Sequence, residues 1–150
     1  MPRRGGELIL YADGATARDR AGAGAIALTR RREVLALANR PLPLVTNNEA
    51  EYSGLLLALE LAASLGASAV EIRLDSEVVV GQMAGRWAVN SPKLKIPHQA
   101  ACVLARGFQH ITYKHIPREL NEVADALATE AAAGRVWRML RAESVDDGEA

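Results

Sequence analysis

Cysteine is almost missing from this chain. Cys102 stands alone, so no disulfide can close within it, which fits a reducing compartment. Charge of one sign is missing too: Lys and Arg together number 18, Asp and Glu also 18, and the formal net charge is zero. No global field therefore draws the chain to nucleic acid or to an anionic membrane, and any polyanion contact must come from a local patch. Long hydrophobic runs are lacking. The apolar run behind the basic N-terminus spans only residues 8–11, too short for a signal-peptide core. Glu60 and then Gly66 interrupt the longest Leu/Ala segment before it reaches spanning length. We expect a soluble, cytoplasmic protein with no membrane partner. There is no internal repeat and no low-complexity linker, and 150 residues are most simply one domain, burying roughly two-thirds of its unfolded surface.

What is present is an ordered alternation. Residues 7–13 have the pattern of a buried strand. Residues 22–29 and 34–38 form a hairpin around the charged turn Arg30, Arg31, Arg32 and Glu33, and Pro41 and Pro43 are expected to end it. Thr46, Asn47 and Asn48 supply a helix N-cap signal. Behind it Tyr52, Leu55, Leu56 and Leu59 recur at helical spacing, and Gly66 is the expected stop. Residues 69–74 are a short strand ending in Asp75 and Ser76, with a short helix over 78–83. A further helix starts near Asn90, Ser91 and Pro92 and runs to about Gly107. Residues 110–116 form a strand and 120–133 a last helix. The expected domain is 1–134, with 135–150 a C-terminal tail, partly docked through Val136, Trp137, Met139 and Leu140 or disordered, and frayed and acidic over 146–150. A meander followed by strand–helix alternation implies an α/β fold, one mixed five-stranded sheet (three antiparallel strands, then two parallel) with helices on both faces.

Four acids lie at the junctions of this plan: Asp13, Glu51, Asp75 and Asp125. Each has an ordinary reading when taken singly. Asp13 with Gly14 is a common turn pair, Asp75 with Ser76 could cap a helix, and Asp125 sits in a first helical turn, where a carboxylate meets the helix dipole favourably. Glu51 lies on the flank of a core-facing stripe, where a surface role is less natural. Taken together, the ends of the first, fourth and fifth strands face one edge of such a sheet, the edge where ligands of open α/β sheets collect. Convergent carboxylates repel unless a cation holds them. Oxygen donors without a Cys or His at metal spacing favour magnesium or manganese. Cys102, His98, His110 and His115 form no zinc pattern. Two such ions would suit phosphodiester cleavage.

These residues, in order, resemble type 1 ribonuclease H: Asp13-Gly14; Thr46-Asn47-Asn48-Glu49-Ala50-Glu51-Tyr52; Leu74-Asp75-Ser76; and the stretch from Pro117 and Arg118 through Asn121, Glu122 and Asp125 to Ala128. The likeness covers about residues 8–133. It implies the RNase H-like fold and endonucleolytic hydrolysis of the RNA strand of an RNA/DNA hybrid by a two-metal mechanism, leaving 5′-phosphate and 3′-hydroxyl ends. It implies Asp13, Glu51, Asp75 and Asp125 as catalytic metal ligands for two Mg2+ or Mn2+ ions. Asp13 and Asp125 would hold the ion that activates water, and Asp13, Glu51 and Asp75 the ion at the leaving oxygen. The basic helical protrusion of the best-known bacterial enzymes is missing here, replaced by residues 85–90 with Lys93 and Lys95 behind them, so the chain looks like the compact branch found in archaea and some bacteria.

For turnover the resemblance offers two residues, His115, ten positions before Asp125, and Arg118 in the Pro-Arg-Glu stretch; Arg118 is favoured. For substrate it implies Gly14 and Ala15 at the backbone, Asn48 at a base edge or 2′-hydroxyl, and Asn47 and Thr46 flanking the DNA strand. Helix capping is the competing reading for Thr46 and Asn47. Trp87 is assigned either to a deoxyribose or to ordinary packing, and the Arg30–Arg32 run to a solvated turn, with a phosphate contact as the competing reading. The expected partner is RNA/DNA hybrid, with no obligate protein partner and a monomeric state. The alternatives are a non-catalytic hybrid- or duplex-binding module, and another nuclease of the same superfamily.

Overall fold

The chain begins its sheet with the run Leu8, Ile9 and Leu10, all nearly solvent-free, in β1 (Glu7–Thr16). The computed structural model describes residues 6–141. A tight turn, in which the Ala17 amide donates to the Arg20 carbonyl, leads to β2 (Arg20–Thr29), and the charged turn at Arg30–Arg32 leads to β3 (Val34–Pro43). All three pair antiparallel. Then follow α1 (Asn47–Ser64), β4 (Ala69–Leu74), α2 (Glu77–Met83), α3 (Pro92–Ala105), β5 (His110–His115), a single 3-10 turn at Arg118–Leu120, α4 (Glu122–Ala132) and β6 (Arg138–Leu140). The strand order is β5-β4-β1-β2-β3-β6, with β4 and β5 parallel to β1.

The sheet has six strands, not five. The sixth comes from the tail: Arg138–Leu140 pairs antiparallel with residues 36–38 of β3. Asn39 secures it. Its Nδ2 donates to the carbonyls of Leu127 and Arg135, both at 2.9 Å, and its Oδ1 accepts from the Trp137 amide at 2.7 Å. The part of the tail expected to be frayed, 146–150, lies outside the described residues. Pro41 does not end β3, which runs through it and closes at Pro43 as expected; the two prolines pair with Gly22 and Arg20. Two prolines two residues apart present the same side, and β6 covers β3 only over residues 36–38, so their missing amides fall on a free edge where no donor is needed.

Alternation along β2 divides the two faces. Ala23, Ala25 and Ala27 join the core that β1 and β4 form with Tyr52, Leu55 and Leu59 of α1. Gly22 and Gly24 face the other way, where a side chain would run into the α4 backbone at Ala128 and Ala124. α1 is buried over more of its circumference than a one-sided stripe predicts, since Leu57, Leu61 and Ala50 are covered as well, with α3 packed outside it. α1 ends in a Schellman arrangement, with Gly66 at φ +72 and the Ala67 amide on the Ala62 carbonyl; α4 ends the same way at Gly134. Among the described residues no helix is long and apolar enough to cross a membrane.

Candidate active site

Asp13 is not the corner of a turn. β1 continues through it, with Asp13 opposite Gly24 and Gly14 opposite Ala23. The glycine serves another purpose. A side chain at Gly14 would collide with the backbone of Ala50 and Glu51, and one at Gly54 with the backbone of Asp13. Two glycines, one on each element, therefore let the first turns of α1 ride directly on β1. That contact carries Glu51 to Asp13, and the Gly14 amide donates to Glu51 Oε1 at 3.1 Å. The Thr46 side chain accepts from the Glu49 amide while Glu49 answers to the Thr46 amide, a capping box that fixes where the helix starts.

Asp75 arrives from the end of β4, where Ser76 caps α2 by accepting from the Val79 amide at 3.2 Å. Carboxylate oxygens of Asp13, Glu51 and Asp75 can lie within 4.8 Å of one another. Asp125 enters from the opposite face of the sheet, on the first full turn of α4. The four acids line one cleft of about 480 Å³ together with Gly14, Ala15, Thr16, Asn47, Arg118 and Thr129.

Asp13 is 4% exposed, and burial pushes its carboxyl well above the ordinary carboxylate range. The charges of Glu51 and Asp75 and hydrogen bonding to Asp125 add to the rise. Glu51 is also raised, first by burial and then by Asp75 and Asp125, with Asp13 and the Gly14 amide pulling the other way. A protein interior gains nothing from acids held against their own repulsion unless a cation meets them. The donor set, carboxylate oxygens with no sulfur or imidazole among the cleft residues, fits a hard divalent ion.

Of the other residues singled out in the sequence, Arg118 and Asn47 line the cleft and the rest do not, apart from Gly14 and Ala15. Arg118 lines the cleft, whereas His115 is an exposed residue at the end of β5 and does not. Asn47 lines it and accepts from the Thr16 hydroxyl at 2.7 Å; Thr46 and Asn48 are exposed beside it. Trp87 is 48% exposed and lies across Gly81, whose bare Cα it covers. Arg30 is tied to Glu7 and Glu71 at 2.7 and 3.1 Å, so it is not simply a solvated turn residue. Two cleft residues escaped the sequence reading, Thr16 and Thr129. Thr129 carried a usable signal: it stands four positions after Asp125, hence on the same face of α4.

An open mixed sheet that gathers four carboxylates at one edge defines the RNase H-like class. Residues 11–131 match the family described as reverse transcriptase-like. The chain is 39% identical over 133 residues to the ribonuclease HI of Halobacterium salinarum, covering 87% of this chain and 67% of that one. It superposes with a TM-score of 0.82 and 36% identity on the N-terminal RNase H domain of a Mycobacterium tuberculosis protein solved as a fusion with maltose-binding protein, covering 93% of this chain and 99% of that one. LC11-RNase H1, solved in complex with an RNA/DNA hybrid, gives 0.80 and 32% over 85% of this chain and 97% of that one. The chain belongs to the type 1 ribonuclease H family, a family of enzymes. It spans only about a third, 35%, of the full bifunctional mycobacterial relative.

Proposed function

We propose that this protein is an endonuclease that hydrolyses the RNA strand of RNA/DNA hybrids to 5′-phosphate and 3′-hydroxyl products. The observation that carries the reading is the gathering of Asp13, Glu51, Asp75 and Asp125 in one cleft from four separate elements. Asp13, Glu51, Asp75 and Asp125 would hold two Mg2+ or Mn2+ ions, which when bound supply a lowered water pKa and charge stabilisation at the leaving oxygen. The chain's own part is to hold the four carboxylates together in one cleft, and to aim the substrate. Gly14 is held against α1 and its amide is engaged by Glu51, which rigidifies that wall of the cleft.

Asn47, at the cleft wall, and Thr46 and Asn48, exposed at the start of α1, are placed to meet the sugar edges and phosphates of a duplex whose minor groove is read through 2′-hydroxyls. Ala15 leaves the backbone accessible there. Trp87, half-exposed and backed by Gly81, offers a flat apolar surface to a deoxyribose. Arg118 is assigned to product or proton release in preference to His115 because Arg118 lines the cleft. One chain supplies all four acids, so a monomer without protein partners suffices. We assign catalysis to residues 1–134, and the lone Cys102 agrees with a cytoplasmic setting.

Replacing Asp13 by Asn tests this directly. It removes one carboxylate at constant shape, and cleavage of hybrid in magnesium should be lost while folding and hybrid binding persist. RNA/RNA and DNA/DNA duplexes assayed alongside should stay intact with the parent protein. Wild-type turnover by the variant would sink the metal-site reading. Binding of hybrid by the parent without any cleavage would make it a binding module instead.

A further inference from the structure

Asn121 is one of the most deeply buried polar residues in the described part of the chain, 1% exposed. It occupies the N-cap position of α4, where an Asn side chain ordinarily accepts from a free amide of the first turn. It makes no such bond. Its Nδ2 instead donates across the molecule to the Ala12 carbonyl at 2.9 Å. A carbonyl can only accept, so the nitrogen must face Ala12, and Oδ1 is left buried without a partner. An orphaned buried acceptor is costly, and the helix also forgoes its side-chain cap. Both losses are tolerated at a position whose one side-chain bond reaches the peptide that joins Ala12 to Asp13.

The backbone of Asn121 completes the connection. Its carbonyl accepts from the Asp125 amide at 3.0 Å, the bond that opens α4, and its own amide donates to the Arg118 carbonyl at 2.9 Å. Parallel pairing of β1 with β4 ends at Tyr11 and Arg73, one residue before Ala12. The bond therefore holds β1 just where the ladder stops supporting it. Through this one residue the peptide before Asp13, the turn carrying Arg118 and the first turn carrying Asp125 are fastened together.

We propose that Asn121 is a positioning residue that fixes the separation of Asp13 and Asp125, and so sets the affinity of the cation these two acids share. The inference rests on the metal-dependent reading above. Loss of an outer support of this kind lowers metal affinity by about tenfold or more.

The test is Asn121→Leu, which keeps the number and branching of the side-chain heavy atoms in a bulkier group and removes the orphan oxygen together with the donor, so that relief of the orphan offsets the bond lost to the Ala12 carbonyl. Magnesium affinity measured by calorimetry should fall about tenfold while the unfolding midpoint in EDTA stays near that of the parent. The kcat for hybrid should drop at limiting magnesium and recover in excess, with KM for hybrid unchanged. Parent-like magnesium affinity in folded Asn121→Leu would overturn the assignment while leaving the metal site standing. Absence of magnesium binding by the parent itself would overturn both. Should the variant not fold, the side-chain amide of Asn121 in the parent gives the same answer by NMR. Its resonances should move with magnesium at the midpoint seen by calorimetry, and resonances unmoved at saturation would overturn the proposal.

Discussion

The Cα of Gly54 lies against the backbone of Asp13, so closely that any side chain at 54 would meet the Asp13 carbonyl. This contact, with its counterpart between Gly14 and the backbone of Ala50 and Glu51, sets how near α1 comes to β1. Gly54→Ala would have to push the helix outward. The expected cost is about 1–3 kcal/mol from overpacking, visible as a fall of roughly 2–10 °C in the unfolding midpoint. Because the same displacement carries Glu51 away from Asp13, hybrid cleavage at a temperature where the variant is folded should fall as well. A variant with lowered stability and parent-like cleavage would separate helix docking from acid placement.

Stability should depend on pH in a direction opposite to that of a salt-bridged carboxylate. Asp13 is pushed up to about 9 from 3.8, and Glu51 to about 7 from 4.5. Both folded values exceed the unfolded ones, so between about pH 4 and about pH 9 the native state holds more protons than the unfolded chain. The contribution of this pair is fully present below pH 4 and is lost as the pH rises through that window. In EDTA the unfolding midpoint of the parent should therefore fall between pH 5.5 and 8 more than that of Asp13→Asn. Magnesium should reverse the trend, raising the midpoint more at pH 8 than at pH 5.5, since binding needs the deprotonated acids. Equal magnesium effects at the two pH values would contradict the assignment.

Much of this site was legible because its acids sit in short local patterns. Leu74, Asp75 and Ser76 read as strand end and cap, and Thr46 to Tyr52 read as a helix start; both hold in the structure. What could not be read depends on distant partners. Asp13-Gly14 looks like a turn until α1 is seen to need the glycine. Pro41 looks like a strand breaker until β3 is seen to have a free edge there and to run on to Pro43. The run from Arg138 to Leu140 is too short to announce a strand and forms one only because β3 offers unpaired backbone. Asn121 falls inside the helix expected over 120–133, whereas α4 starts at Glu122 and the side-chain partner of Asn121 lies 109 residues away.

Arg118 and His115 should separate cleanly by mutation. Arg118 lines the cleft beside Asp125, whereas His115 is exposed at the end of β5. Arg118→Ala should lower kcat on hybrid about a hundredfold, the scale seen when a charge-stabilising donor is removed, with little change in the unfolding midpoint. His115→Ala, an exposed change that makes no contact with the cleft, should leave stability within about 0.5 kcal/mol and turnover close to that of the parent. The reverse outcome in single-turnover and steady-state assays would return the role to the histidine.

Asn39 holds β3 to the chain that leads into β6. Its amide joins three elements at once, accepting from Trp137 and donating to Leu127 and Arg135. Asn39 is itself 7% exposed. Asn39→Ala takes this partner from the Arg135 carbonyl and the Trp137 amide, at about 1–3 kcal/mol for each group that water cannot reach, while the Leu127 carbonyl, inside α4, still accepts from the helix. Part of the site lies near the surface, where Trp137 is 54% exposed, so release of residues 137–140 offers the cheaper response: the freed groups hydrate and β3 loses only its short outer neighbour. Hydrogen exchange should then show protection lost at Trp137 and Met139 while the β1 and β4 amides keep theirs. Uniform loss of protection across the sheet would mean instead that β6 and α4 are held by Asn39 as one cooperative unit with the core.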